Sequence, residues 1–85
     1  MPEISRFHGI VIAMFYPEHG PPHFHARRGE YKLRVDIRSL SAAGEFPETD
    51  RRRVTVWAAL HQEDLLRNWQ RARRGERLLP VPPLE

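Results

Sequence analysis

Cysteine is absent from the 85 residues, which excludes disulfides, thiolate metal sites and cysteine nucleophiles and fits a reducing cytoplasm. A domain this short buries only about 60–65% of its unfolded surface, so it holds together by its core alone or by homo-oligomerisation. Lysine is nearly absent too: 13 of the 14 cationic residues are arginine, and Lys32 is the exception. Arginine forks suit phosphate and carboxylate, although an arginine-rich codon bias would yield the same count. Long apolar runs are missing. The longest, from Ile10 to Tyr16, is too short to span a bilayer, and the opening MPEISRFHG carries charges and a proline where a secretion signal needs an apolar stretch. The expectation is a soluble, cytoplasmic protein with no membrane partner. The chain is too short for a second domain or a cofactor domain, and no cofactor is expected. It also shows no nucleophile elbow, no phosphate-cradling glycine loop and no usefully spaced pair of carboxylates.

The segment GIVIAMFY, residues 9–16, reads as a buried strand ended by Pro17 and Gly20. From Tyr31 the alternation is clean, with Tyr31, Leu33, Val35 and Ile37 on one face and Lys32, Arg34, Asp36 and Arg38 on the other. If Gly29 and Glu30 form a two-residue type II′ turn, counting outward sets Arg28 opposite Tyr31, Arg27 opposite Lys32, Ala26 opposite Leu33, His25 opposite Arg34, Phe24 opposite Val35 and His23 opposite Asp36. Phe24 and Ala26 then join the core face. His23, His25, Arg27, Lys32, Arg34 and Asp36 fall on the outer, wet face. Residues 41–46 offer a short fourth strand or a turn around Gly44. A helical pattern follows Pro47 and runs from about 48 to 74, with an apolar stripe of Val54, Trp57, Ala58, His61, Leu65, Trp69 and Ala72 and Gly75 in the C′ position. Its length makes a kink between His61 and Asp64, or two helices, a live alternative. The predicted fold is α+β: a three- or four-stranded antiparallel sheet with one long, kinked or straight, C-terminal helix packed on one face. Residues 1–76 form the domain, and 77–85 an extended proline-rich tail.

Histidine is abundant, with five in the chain and His19, His23 and His25 within seven residues. Imidazoles ligate metals and titrate nearest neutral pH. No resident metal is expected, but His19, His23 and His25 are the candidates for a histidine-based metal-binding module, which would still want a further ligand such as Glu18. His23, His25 and Asp36 are the candidate catalytic residues, since an imidazole oriented by a carboxylate is the unit of general acid and base catalysis; with a nearby cation this suits a metal-independent ribonuclease. The binding candidates are His23, His25, Arg27, Arg28, Lys32 and Arg34. Facing Arg27 with Lys32, and His25 with Arg34, destabilises the hairpin unless an anion is shared. The run Arg51, Arg52, Arg53 at the helix start opposes the dipole and either extends the basic surface or is simply solvated.

Three segments, ISRF (Ile4 to Phe7), PPHFHA (Pro21 to Ala26) and the LLxNWxxAxxGE pattern from Leu65 to Glu76, together resemble a family of small bacterial proteins catalogued as domain of unknown function 4160. The resemblance covers nearly the whole chain. It implies a stand-alone domain encoded beside another small protein, an arrangement similar to toxin–antitoxin pairs, and it supplies no catalytic residue. The expected partners are therefore a small protein encoded nearby, or RNA or DNA. This sequence departs from the family in its heavier arginine content after residue 47.

Overall fold

A computed structural model describes residues 3–15 and 19–85. These residues form an α+β domain whose five strands make one antiparallel meander, followed by two helices. The strands are β1 (Glu3–Phe7), β2 (Ile10–Ala13), β3 (His23–Arg28), β4 (Tyr31–Asp36) and β5 (Ala42–Glu45), in that order across the sheet. The predicted sheet is thus one or two strands too small. ISRF is a strand of its own, joined to β2 by a two-residue turn in which His8 (φ 50) and Gly9 (φ 78) are both left-handed. That is the geometry of a type I′ hairpin, whose backbone twist suits the strands it joins. Residues 42–45 settle as β5. Tyr16 and Pro17, at the expected end of the strand read over residues 9–16, lie outside the described residues.

The register read from the sequence for β3 and β4 holds at every pair, from His23 opposite Asp36 to Arg28 opposite Tyr31. Gly29 takes φ 59 at the turn, as a type II′ turn requires at its first central residue. Pairing then carries both faces across the sheet. The inner face collects Phe7, Ile10, Ile12, Phe24, Ala26, Leu33 and Val35, all buried.

The helical segment is two helices, α1 (Glu48–Leu60) and α2 (Gln62–Arg73), broken at His61, whose φ of −125° and ψ of 26° leave the helical region. The size of the globule gives the reason. One straight helix over 48–73 would be about 39 Å long at 1.5 Å per residue, whereas the longest dimension of the domain is 33 Å. The side-chain amide of Gln62 fixes the start of α2 by donating to the Ile37 carbonyl at 2.8 Å. Val54, Trp57, Ala58, Leu65, Trp69 and Ala72 of the predicted stripe are buried. His61 is only partly covered and leans on Trp57, ring centroids 5.6 Å apart. Trp57 is the centre of the core, with ring centroids 5.3 Å from Phe7 and 5.6 Å from Phe24. At the end of α2, Gly75 (φ 71) and Glu76 donate to Ala72 and Arg71 at 3.1 and 2.8 Å, which is the Schellman closure expected of a C′ glycine.

Residues 77–85 have no regular secondary structure but lie fixed along the domain. Buried Asn68 grips the backbone of Leu79 from both sides, donating to its carbonyl at 2.8 Å and accepting from its N–H at 3.0 Å. The Val81 N–H donates to the Ile4 carbonyl at 2.8 Å and the Trp57 indole donates to Pro82 at 2.8 Å. Both sheet edges are thereby occupied: the tail meets β1, while Arg51 donates to the Ala42 carbonyl of β5 at 2.8 Å. Arginine at that position therefore satisfies an edge strand, and its neighbours Arg53 and Arg52 face Asp50 and Glu48 at 2.9 and 4.0 Å. No helix of the described residues is long and apolar enough to cross a membrane.

Candidate functional site

The inner face is spent on the helices, so the chemistry open to solvent belongs to the outer face of the sheet. Its side chains stand in rows across the strands. One row runs Arg6, Val11, Arg27, Lys32, Glu45, and the next runs Glu3, Ala13, His25, Arg34, Ala43. Glu3 is occupied by Arg6, with Nη2 to Oε1 at 2.8 Å; this hydrogen bond, helped by the charges of Arg6 and Arg27, holds the Glu3 carboxyl below the usual carboxylate range. Arg27, Lys32 and Arg34 are exposed, adjacent in register and without an ion pair among the described residues. Three unpaired cations side by side are electrostatically costly without an anion.

Four of the predicted binding residues, His25, Arg27, Lys32 and Arg34, are brought together on this face. Arg28 is placed elsewhere. Its guanidinium bridges the His8 carbonyl at 3.0 Å and the buried carboxylate of Asp50 at 3.1 Å, pinning the end of β3 to the first turn of α1. His23, expected on the wet face, is only 2% exposed. Its ring packs against Trp69 at 5.0 Å, and its Nδ1 donates to the Pro21 carbonyl at 2.9 Å. Alternation along a strand gives the side a residue points to, but not what closes over it; here α2 does.

The expected dyad of His23 with Asp36 is in register but otherwise engaged. Oδ1 of Asp36 accepts from the backbone N–H groups of Arg38 and Ser39, both at 2.9 Å, and folds the loop between β4 and β5. The Ser39 hydrogen bond is the main reason that the Asp36 carboxyl is held below its ordinary range. With His23 walled in and Asp36 serving a turn, His25 is the imidazole that reaches the face. His19 is exposed, and among the described residues no group of three or more histidine or carboxylate side chains stands close enough to hold a metal ion. Glu18, one of the further ligands considered, lies outside the described residues.

Beside the cations the sequence reading missed a trough over β2. Val11 and Ala13 form its floor, His25, Arg27 and Lys32 line it, and Phe15, 37% exposed, stands at its end; its volume is about 280 Å³. The Phe15 and His25 rings meet edge to face at 5.0 Å. The signal was present, since Phe15 lies near the end of an apolar run that stops at Pro17, but a run buried on both faces hides which member emerges. A larger hollow of about 720 Å³ opens at the hairpin tip, where Arg28 and Lys32 are balanced by Glu30 and Glu45. Its mixed charge and the engagement of Arg28 make it a lesser site.

These features define a two-layer α+β domain that buries one sheet face under helices and leaves a basic patch of the other open. The model of the family described as Domain of unknown function (DUF4160) matches residues 9–70, well over half of the chain, and the protein belongs to that family. No curated protein and no solved structure matches it. The segments that carry the resemblance are chiefly structural here: Ile4, Phe7, Phe24 and Ala26 are core, Asn68 clamps the tail, and Gly75 closes α2.

Proposed function

We propose that the protein binds nucleic acid through the outer sheet face, with Arg27, Lys32 and Arg34 meeting phosphates and His25 beside them. The observation that carries this reading is the cluster of three exposed cations in neighbouring register positions without ion pairs among the described residues. Of the carboxylates nearby, Glu3 is held by Arg6 and Asp36 by its loop, while Glu45 faces Lys32 across the β4–β5 pair and Arg27 and Arg34 have no such carboxylate opposite them. The net charge of +3 is small, and among the helix arginines Arg52, Arg53 and Arg67 stand against Glu48, Asp50, Glu63 and Asp64.

Binding of this kind weakens with salt as counterions are released, with a slope of about −0.7 per phosphate contacted on a single strand. Three cations give a slope near −2 in a plot of log K against log salt, and Lys32→Ala lowers its magnitude by about 0.7. Absence of RNA and DNA binding at low salt, or binding indifferent to salt, overturns the proposal. The family resemblance supports a further element, that the domain works as one half of a toxin–antitoxin-like pair with a small protein encoded beside it. Co-purification from the native host, with mass spectrometry for protein and sequencing for bound RNA, tests that element separately.

A further inference from the structure

The trough beside the cations has features that phosphate binding does not require. Its floor is apolar, made of Val11 and Ala13, only 8% and 3% exposed although they belong to the outer face. Phe15 is left 37% exposed at its end, an arrangement that sets a large apolar ring next to Arg27 and Lys32. At about 280 Å³ it falls just under the range of about 300–1,000 Å³ typical of pockets for drug-sized ligands. One planar ring fits, and a dinucleotide cofactor does not. An apolar slot with an aromatic wall, opening directly onto a row of cations, matches one chemical unit well: a heteroaromatic base attached to a phosphodiester.

We infer that the trough is a base-stacking subsite, in which one unpaired nucleobase lies over Val11 and Ala13 against the ring of Phe15 while its flanking phosphates meet Arg27, Lys32 and Arg34. The inference rests on the nucleic-acid reading above and narrows it to single strands. In a duplex the bases are already stacked and paired, and only the backbone is offered to the sheet. Every base has a π face, so the subsite is tolerant of sequence. Phe15 contributes stacking and carries no charge. Its removal therefore separates the base from the phosphates.

The test uses the full chain and four probes at one salt concentration, read by fluorescence anisotropy or competition: a short oligouridylate, a duplex of equal length, inorganic polyphosphate, and an acidic peptide. Stacking is worth about 1–3 kcal/mol per base, so F15A should weaken oligouridylate binding roughly 5- to 150-fold. F15W should restore it, and polyphosphate binding should be unchanged in both variants. A second readout needs no variant: the Val11 methyl resonances should shift on adding oligouridylate and stay in place on adding polyphosphate. The subsite is refuted if F15A affects oligouridylate and polyphosphate equally, if the duplex binds more tightly than the single strand, or if the Val11 methyls do not respond to the base. Preference for the acidic peptide makes the face a protein-binding surface and overturns both readings. Failure of every anionic probe to bind removes the phosphate reading and the subsite with it, whereas loss of base dependence alone leaves the phosphate reading standing.

Discussion

Asn68→Ala should loosen the C-terminal tail and cost the domain a large part of its stability. The side chain is 1% exposed and makes three hydrogen bonds, two to the Leu79 backbone at 2.8 and 3.0 Å and one accepted from Arg71 at 3.0 Å. A net contribution of about 1 kcal/mol for each backbone bond, and as much again for the charge-assisted one, gives about 2–3 kcal/mol. Arg71 is half-buried and recovers part of its bond from water, so the lower half of that range is the better estimate. For a domain of this length the loss corresponds to a fall in Tm of roughly 10–20 °C. Urea unfolding followed by tryptophan fluorescence measures it well, because the Trp57 indole itself bonds to Pro82. Hydrogen exchange locates it: the Val81 N–H, bonded to Ile4, should lose protection in the variant while β3 and β4 keep theirs. Truncation after Arg77 should cost at least as much, and adding Asn68→Ala to the truncated chain should cost little more, since the two act through the same contacts. A stability loss under about 0.5 kcal/mol, or an unchanged Val81 amide, refutes the clamp.

Other substitutions probe the sheet. Gly44→Ala should destabilise by about 2–4 kcal/mol, because Gly44 has φ 127 and a Cβ there runs into the Lys32 carbonyl oxygen of the neighbouring strand; an unchanged urea midpoint contradicts this. Ser5→Ala should be neutral or stabilising by up to about 1 kcal/mol, since the buried Ser5 hydroxyl has no hydrogen-bond partner among the described residues. A clear loss in thermal melts reveals a partner. Asp36 is held below its ordinary value by the Ser39 and Arg38 amides, so its folded pKa lies below its unfolded one. The stability it contributes is present above the unfolded value and is lost as pH falls through the folded one. Its carboxyl resonance should titrate below pH 3.8, the ordinary value, and Asp36→Asn should flatten the acid limb of the stability curve; a midpoint at or above that value counts against the loop geometry.

The β3–β4 hairpin was legible because a two-residue turn and a period of two fix its register together. The class of fold and the helical stripe followed from the same kind of repetition. Strand β1 escaped because ISRF is short and its turn uses His8-Gly9, a less familiar pair than Asn-Gly for the same conformation. The break at His61 answers to the 33 Å length of the globule, a limit that no local pattern carries. At the candidate site, the cations could be counted into place from the turn, but the fates of His23 and Arg28 depended on partners far along the chain, Trp69 and Asp50. Burial of a polar residue by a distant element leaves no periodic mark near that residue. The apolar trough was hidden for a related reason, since Val11 and Ala13 look like core in sequence and are floor in the fold.

The contact between Val81 and Ile4 joins positions separated by nearly the whole chain, and synthesis runs from one to the other. A nascent domain can pair its hairpins early, but β1 keeps an open edge until the residues around Val81 have emerged. Contacts so distant in sequence form late, after the loop-closure entropy has been met. The newborn protein therefore passes through a stage with an adhesive strand on display, and an interruption of translation near the tail would release it in that state, prone to pair with another copy.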